Sequence, residues 1–189
     1  MKRNFFITGL PRSRTSWLAN FFTYNNTFCF HEATRFCASI EDLKITLANH
    51  DASNIGNADP ALIYMMDDLV NMFPEAKFLF VEREVYETID SFLGFYASLD
   101  SQQKVTDWIL QMNELFQKAK QKYNVMTISH NELNQMDACK QTWEYLVPEI
   151  PFDEKRWKML DELYINKLPY KHSEHAIRNS LYSQFIQYF

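Results

Sequence analysis

The pattern of hydrophobic and polar positions along the chain predicts short apolar strands separated by amphipathic helices. Apolar runs that are too short for helices, bounded by turn residues, indicate buried strands. They cover residues 4–9, 28–30, 77–82 and 124–128. Apolar positions at helical spacing predict helices between them, over residues 15–24, 39–49, 60–72, 85–99 and 102–122. Strands alternating with helices predict an α/β fold, a three-layer sandwich with helices on both faces of a short parallel sheet.

Local signals fix some of these boundaries. Ser39 and Asp42 form a capping-box pattern at the start of a helix, and Pro60 suits the first turn of the next one. Residues 53–59 are polar and turn-rich, so we predict a link there. From about residue 131 the pattern is helical, with breaks near Pro148, Pro151 and Pro169. We therefore expect one domain over residues 1–189 with a helical C-terminal part.

Composition and charge exclude several classes of protein. The 189 residues are 47% hydrophobic, enough for one substantial core. A formal net charge of −5 argues against a general nucleic-acid binder, which normally shows a basic surface. No segment approaches the roughly 20 apolar residues that span a bilayer. These features predict a cytoplasmic protein with no membrane span and no nucleic-acid partner.

The three cysteines do not form a recognisable framework. Cys29, Cys37 and Cys139 are odd in number and contain no CxxC pair, so neither disulfides nor a standard zinc site is expected. Cys29, His31 and Cys37 could in principle gather around a metal, but small buried cysteines are common in cores. We predict no metal.

The turn after the first strand carries the clearest chemistry. The segment Gly9-Leu10-Pro11-Arg12-Ser13-Arg14-Thr15-Ser16-Trp17 leads from an apolar strand into an amphipathic helix. Such a turn directs backbone N–H groups and a positive helix end at an anion. It is not a GxxxxGK[ST] loop, because Arg14 replaces the second Gly and Thr15 replaces the Lys. The alternative interpretation is a helix cap with surface arginines.

Three polar segments should lie along one edge of the sheet. The turn at 10–16 follows the first predicted strand, His31-Glu32 follows the second, and Glu82-Arg83 follows the strand at 77–82, which we expect to be the central one. The carboxyl ends of parallel strands share an edge, where ligands bind in such folds. We therefore predict that these segments converge.

Two elements resemble the sulfotransferases that use 3′-phosphoadenosine 5′-phosphosulfate (PAPS). In that family, strand one is followed by Pro, Lys or Arg, Ser, Gly, two Ser or Thr residues, and Trp or Phe; residues 11–17 are similar to this pattern. A later strand ends in Arg, with a Ser eight residues on, as Arg83 and Ser91 do here. The resemblance covers residues 4–95 well, and it is to bacterial and carbohydrate-type members with a P-loop-like fold.

The resemblance implies roles for individual residues. Arg12, Ser13, Arg14, Thr15, Ser16 and Trp17 would bind the 5′-phosphosulfate end of PAPS, and Arg83 and Ser91 would hold its 3′-phosphate. Arg83 could instead pair with Glu82, Glu84 or Glu87. Arg14 stands where Gly is usual, and the Gly-rich R-K-G-x-x-G loop of many members is absent. Lys167, Lys171 and Arg178 are candidates to replace its charge.

The implied reaction transfers a sulfuryl group to a hydroxyl or amine of a small-molecule or carbohydrate acceptor, without a metal. Arg12 would stabilise the leaving phosphate, and a base must take the proton of the acceptor. Glu32 is the favoured base and His31 the second candidate, because family members use a Glu or a His in this role. Glu32 could instead pair with Arg12, Arg14 or Arg35.

Two other functions remain open from the sequence. A small-molecule kinase with an altered phosphate loop shares the strand, loop and helix arrangement but would want a loop Lys. A catalytically inactive, sulfotransferase-like binding protein would fit the missing Gly-rich loop.

Overall fold

The chain folds around a parallel β-sheet whose strand order is β2-β3-β1-β4-β5. The computed structural model describes residues 2–95 and 102–162. In these ranges the strands are β1 (Arg3–Gly9), β2 (Thr27–His31), β3 (Asn54–Ala58), β4 (Lys77–Glu82) and β5 (Met126–Ser129). Every pair of neighbouring strands is parallel, as predicted, so all the carboxyl ends lie along one edge.

Helices connect the strands and cover both faces of the sheet. They are α1 (Thr15–Phe22), α2 (Ile40–Ala48), α3 (Met66–Met72), α4 (Val85–Phe95), α5 (Gln102–Lys122), α6 (Met136–Leu146) and α7 (Glu154–Glu162). Short 3-10 turns lie at Ala33–Phe36, Pro60–Met65 and Glu132–Asn134. Within the described ranges, none of the helices combines the length and hydrophobicity that crossing a bilayer requires.

Successive residues of the strands pack into two separate hydrophobic cores, because the side chains of a strand alternate between the two faces of the sheet. Phe6 on β1 and Phe80 on β4 pack with residues of α2, α3 and α5. Phe5 and Ile7 face the other way and pack with α1, α6 and α7. The architecture is therefore the predicted three-layer α/β sandwich with a parallel sheet.

The predicted link at 53–59 is wrong, because Asn54–Ala58 is strand β3, buried along its whole length between β1 and β2. Gly56 is required there, since an added Cβ would lie 2.1 Å from the Phe5 ring. The side-chain oxygen of Asn57 accepts a hydrogen bond from the amide of Ala33 at 3.1 Å. Because polar residues make these contacts, this interior strand lacks the apolar run by which a sequence pattern reveals a buried strand.

Two smaller predictions also need correction. The central strand of the sheet is β1 and not the strand at 77–82, which is β4 and lies beside β1. The predicted helix at 60–72 is a 3-10 turn followed by α3. Its start is tightened by the amide of Leu62, which donates to the carbonyl of Asp59, and the Asp59 side chain caps it.

The C-terminal part from residue 131 is helical as far as the structure describes it, and α7 is fastened to α1. The guanidinium of Arg156 donates to the carbonyl oxygens of Asn20 at 2.6 Å and Thr23 at 2.7 Å, at the end of α1. Tyr24 donates to the Asp153 carboxylate at 2.8 Å. The break predicted near Pro169, the end of the helix predicted to 99, and the candidates Lys167, Lys171 and Arg178 lie outside the described residues.

Candidate active site

The turn between β1 and α1 forms a backbone concavity, which we call the anion loop (residues 10–16). Arg12 and Arg14 have left-handed backbones, with φ of 67° and 62°. Alternating left-handed residues turn neighbouring N–H groups toward one point, which is how proteins bind anions with the backbone. The amide of Leu18 donates to the carbonyl of Arg14, so the preceding amides form the first turn of α1, where no helical carbonyl is available to them.

Gly9 lets the anion loop lie close against β4. A Cβ at this position would lie 2.7 Å from the carbonyl oxygen of Val81 and 3.2 Å from the Cβ of Ser13. Such a separation from a backbone oxygen requires the strand or the loop to move. The position of the loop therefore depends on the absence of a side chain at Gly9.

The end of β4 meets the anion loop, as the sequence predicted. Arg83 donates a hydrogen bond from its guanidinium to the carbonyl oxygen of Arg12. The Nε of Arg12 in turn lies 3.4 Å from the hydroxyl of Ser91 on α4. Arg12, Arg83 and Ser91, separated by up to 79 residues in sequence, thus form one contact chain.

The electrostatics of this contact favour an anion. Burial lowers the pKa of the Arg83 guanidinium, and the positive charge of Arg12 lowers it further, whereas Glu87 opposes the shift. Two adjacent cations repel each other until a negative group lies between them. The Nε of Arg83 and the hydroxyl of Ser13 are also buried without a hydrogen-bond partner among the described residues, and buried polar atoms normally have one.

Glu82 is occupied elsewhere. Its carboxylate pairs with Lys120 on α5 rather than with Arg83. The alternative in which Arg83 pairs with Glu82 is therefore not what the structure shows, and Arg83 is directed to the anion loop.

The end of β2 reaches the same edge through His31. Its Nε2 lies 2.9 Å from the hydroxyl of Ser16 and 3.4 Å from that of Thr15. Burial lowers the pKa of His31 to about 4; the nearby Asp59 carboxylate opposes this shift and Arg35 adds to it. The imidazole is consequently neutral at pH 7 and is a weak base.

Glu32 lies beside His31 in a left-handed backbone conformation, with φ of 55°. One carboxylate oxygen lies 2.6 Å from the Nε of Arg35, and the other lies 3.8 Å from the Nε2 of His31. Glu32 thus forms an ion pair with Arg35, one of the three partners that the sequence offered. Burial raises the pKa of Glu32, and the positive charge of Arg35 limits that rise.

These contacts do not form a Ser-His-acid relay. In such a relay the two ring nitrogens of the imidazole serve the serine and the acid separately. Here the single Nε2 of His31 faces both Ser16 and Glu32. Instead, His31 lies between the hydroxyl of Ser16 in the anion loop and the buried carboxylate of Glu32.

Two residues of the predicted site direct their side chains to other parts of the molecule. Arg14 donates to the Asn134 side chain at 2.6 Å, and its guanidinium lies 3.8 Å from Asp161. It also lies over the ring of Trp17, 4.5 Å from the centroid. The Trp17 indole is buried and donates to the carbonyl of Leu160 at 3.0 Å, so the backbone amide is what this residue offers to an anion.

Sequence reasoning missed two residues of this edge. Asp59 is fully buried and follows β3, a strand that the sequence pattern did not reveal. His130 follows β5, and its amide donates to the carbonyl of Glu82 at 2.6 Å. Burial lowers the pKa of His130, and the positive charges of Arg83 and Arg14 lower it further. The sequence feature that could have indicated His130 is its position two residues after the last predicted strand, at 124–128.

The gathering of Cys29, His31 and Cys37 around a metal does not occur. Across the two described ranges no group of three or more His, Cys, Asp or Glu side chains is placed to hold a metal ion. Cys29, Cys37 and Cys139 are free thiols, all buried. Burial raises the pKa of Cys139 to about 11, so this thiol stays protonated at pH 7.

Three solved structures with a similar fold are sulfotransferases. Mouse sulfotransferase SULT7A1, complexed with PAP, matches with a TM-score of 0.62 and 14% identity over 85% of this chain and 64% of its own. STF9 from Mycobacterium avium matches with a TM-score of 0.59 and 10% identity over 84% of this chain and 67% of its own. A sulfotransferase from Alicyclobacillus acidocaldarius matches with a TM-score of 0.57 and 12% identity over 85% of this chain and 90% of its own.

Comparison with protein-family models gave no match, and comparison with curated protein sequences gave none. The chain spans about two thirds of the length of the mouse enzyme. What these relatives share with the chain is the arrangement of its sheet and helices. The fold of this protein is the fold of the sulfotransferases.

Proposed function

We propose that this protein is a sulfotransferase that uses PAPS to transfer a sulfuryl group to a hydroxyl or amine. One observation carries the proposal: Arg83, which follows β4, and Ser91 on α4 both contact Arg12 in the anion loop. The proposed ligand has phosphate groups at both ends of its ribose and needs two cationic anchors. The mouse structure with the same fold is complexed with PAP, the product that PAPS would leave.

The two ends of the ligand would meet different groups. The amides of the anion loop, Arg12 and the hydroxyls of Ser13, Thr15 and Ser16 would bind the 5′-phosphosulfate end. Arg83 and Ser91 would bind the 3′-phosphate. Charge-assisted hydrogen bonds of this kind are roughly twice as strong as neutral ones. The buried hydroxyl of Ser13 and the Nε of Arg83 would gain the partners that the described residues do not provide.

PAPS supplies an activated sulfuryl group on a phosphate leaving group. In the transfer, a bond forms between the acceptor oxygen or nitrogen and sulfur, while the bond between sulfur and the bridging oxygen breaks. Arg12 would neutralise the negative charge that develops on this bridging oxygen. The departing electron pair stays with the 5′-phosphate, so PAP leaves as the anion. The acceptor's proton passes to the base.

Glu32 is the better candidate for that base. The pKa of His31, about 4, leaves it little affinity for a proton, and its Nε2 already contacts Ser16. Glu32 is buried, which raises its pKa and its affinity for a proton, while the ion pair with Arg35 favours the ionised form that a base requires. His31 would then orient Ser16 and separate the anion loop from the base.

Isothermal titration calorimetry with PAP and with ATP plus Mg²⁺ tests this function against its alternatives. A sulfotransferase should bind PAP selectively and without added metal. Metal-dependent ATP binding would instead indicate the small-molecule kinase, and the absence of binding to either nucleotide would indicate the inactive binding protein. Incubation with ³⁵S-labelled PAPS and panels of carbohydrate and small-molecule acceptors would then identify the acceptor class by transfer of the label.

A further inference from the structure

The three consecutive amides that begin with that of Glu32 donate hydrogen bonds to residues at and just after the end of strand β3. The amide of Glu32 donates to the carbonyl of Ala58 at 3.0 Å. The amide of Ala33 donates to the side chain of Asn57 at 3.1 Å, and that of Thr34 donates to the carboxylate of Asp59 at 3.2 Å. Each residue from 57 to 59 thus accepts a hydrogen bond from one backbone amide of the segment that carries Glu32.

Asp59 is the most heavily bonded of the three. One of its oxygens accepts from both the amide and the hydroxyl of Thr34, the latter at 2.5 Å. The other accepts from the amide of Ala61 at 2.9 Å. Asp59 is fully buried, so these three donors replace the water that it lost on folding.

The backbone of Glu32 shows why such bonding is needed. A non-glycine residue with φ of 55° occupies a region that is sterically unfavourable for L-residues. Such a conformation persists only where neighbouring structure imposes it. The bonds from residues 57–59 supply that constraint, and the turn directs the Glu32 carboxylate to Arg35 and His31.

We propose that Asp59 is a positioning residue for Glu32, holding through Thr34 the turn on which the candidate base stands. The inference rests on the proposed function only for the role of Glu32 as the base. The hydrogen bonds between the two segments do not depend on it.

The two carboxyl groups also share an electrostatic environment. Burial raises the pKa of Asp59, and the negative charge of Glu32 raises it further, while the bonds from Thr34 and Ala61 oppose the rise. Among the described residues, the charged and titratable groups around the pair include Arg35 on the same turn, His31 at the end of β2 and the thiol of Cys37. Because repulsion between two charges belongs to both, the pair should release its two protons in separate steps.

Carboxyl ¹³C NMR tests the proposal without any substrate, in protein labelled at Asp and Glu side chains. The wild-type pair should titrate in two steps, and both Asp59→Asn and Glu32→Gln should abolish the upper step. Persistence of the upper step in either variant would overturn the coupling. A role of Asp59 in folding alone would not remove a titration step from Glu32.

Thr34→Val provides a second test should Asp59→Asn not fold. It removes the hydroxyl that stabilises the ionised Asp59, so the upper step should move to higher pH. Thr142→Val is the matched control, because Thr142 is equally buried and donates to the carbonyl of Cys139 on α6. An upper step that is the same in Thr34→Val as in Thr142→Val would contradict the proposal.

Binding of PAP by wild-type protein separates this inference from the proposed function. A protein that titrates in two steps but does not bind PAP would keep the Asp59–Glu32 relationship and lose the sulfotransferase assignment. A protein that binds PAP but does not titrate in two coupled steps would keep the sulfotransferase assignment and lose the Asp59–Glu32 relationship.

Discussion

The guanidinium of Arg83 donates a hydrogen bond to the carbonyl oxygen of Arg12, 71 residues earlier in the chain. The bond supports the left-handed backbone of Arg12 and brings a second cation beside the anion loop. The same contact therefore shapes the backbone of the site and concentrates its positive charge.

Replacing Arg83 with Ala should weaken PAP binding. Loss of a charge-assisted contact costs roughly 1.5–3 kcal/mol, which corresponds to about a 10- to 150-fold increase in Kd. Calorimetry measures the change directly. Arg3→Ala is the control, since it also removes one positive charge but from the ion pair with Glu149 at the opposite end of β1. Equal effects of the two substitutions would mean that only net charge matters.

Gly9→Ala should displace the anion loop, because the new Cβ would lie 2.7 Å from the Val81 carbonyl oxygen. We expect lower stability in urea denaturation and a loss of PAP affinity. Gly94→Ala serves as the comparison, since its Cβ would meet no atom within 4 Å. An alanine there should instead stabilise helix α4 by about 0.5–1 kcal/mol. Similar stability of the two variants would show that the loop tolerates a side chain at Gly9.

Arg14→Gly should be more stable than Arg14→Ala by about 1 kcal/mol, because glycine adopts the left-handed conformation without steric cost. Both variants lose the contacts with Asn134 and Asp161, so the difference between them isolates the backbone. Urea denaturation of the two proteins measures it. Equal stability would indicate that the anion loop relaxes when the Arg14 side chain is removed.

Acid should destabilise the protein partly through His31. The pKa of His31 lies near 4 in the folded state and near 6.5 in the unfolded chain. Between these values the unfolded chain binds the proton more readily, so the contribution of His31 is present above pH 6.5 and is lost as the pH falls toward 4. Its size is at most about 3 kcal/mol and is reduced because a quarter of the side chain remains exposed.

His31→Gln removes this titration, so the wild-type protein should lose stability relative to the variant as the pH falls from 6.5 to 4. Urea unfolding at several pH values gives the difference between the two proteins. Glu32 is present in both, so most of its own titration cancels in that difference. A difference that does not change over this range would show that the imidazole is not buried as described.

The sequence predicted the elements whose residues repeat a simple pattern. β1 and β4 are apolar runs, and the order of strand, loop and helix places Arg12 and Arg83 at one edge in any parallel sheet. The resemblance to the family pattern, with its glycine at position 14, also fits the left-handed Arg14 that the structure shows.

The sequence could not reveal contacts that depend on strand order. β3 carries Asn54, Gly56 and Asn57, which resemble a link until β1 and β2 enclose them. Asp59 looks like an ordinary cap before Pro60, and its proximity to Glu32 exists only because β3 lies beside β2. The contacts of Arg14 with Asn134 and Asp161 likewise join residues more than a hundred positions apart, which no local pattern encodes.

The two ends of helix α1 attract opposite charges. Its last carbonyls receive the Arg156 guanidinium from α7, and its first amides belong to the anion loop. A cation at the carboxyl end and an anion at the amino end both lower the energy of the peptide dipoles between them. This eight-residue helix therefore links α7 mechanically to the anion loop, so a change in how α7 docks would alter the geometry of that loop.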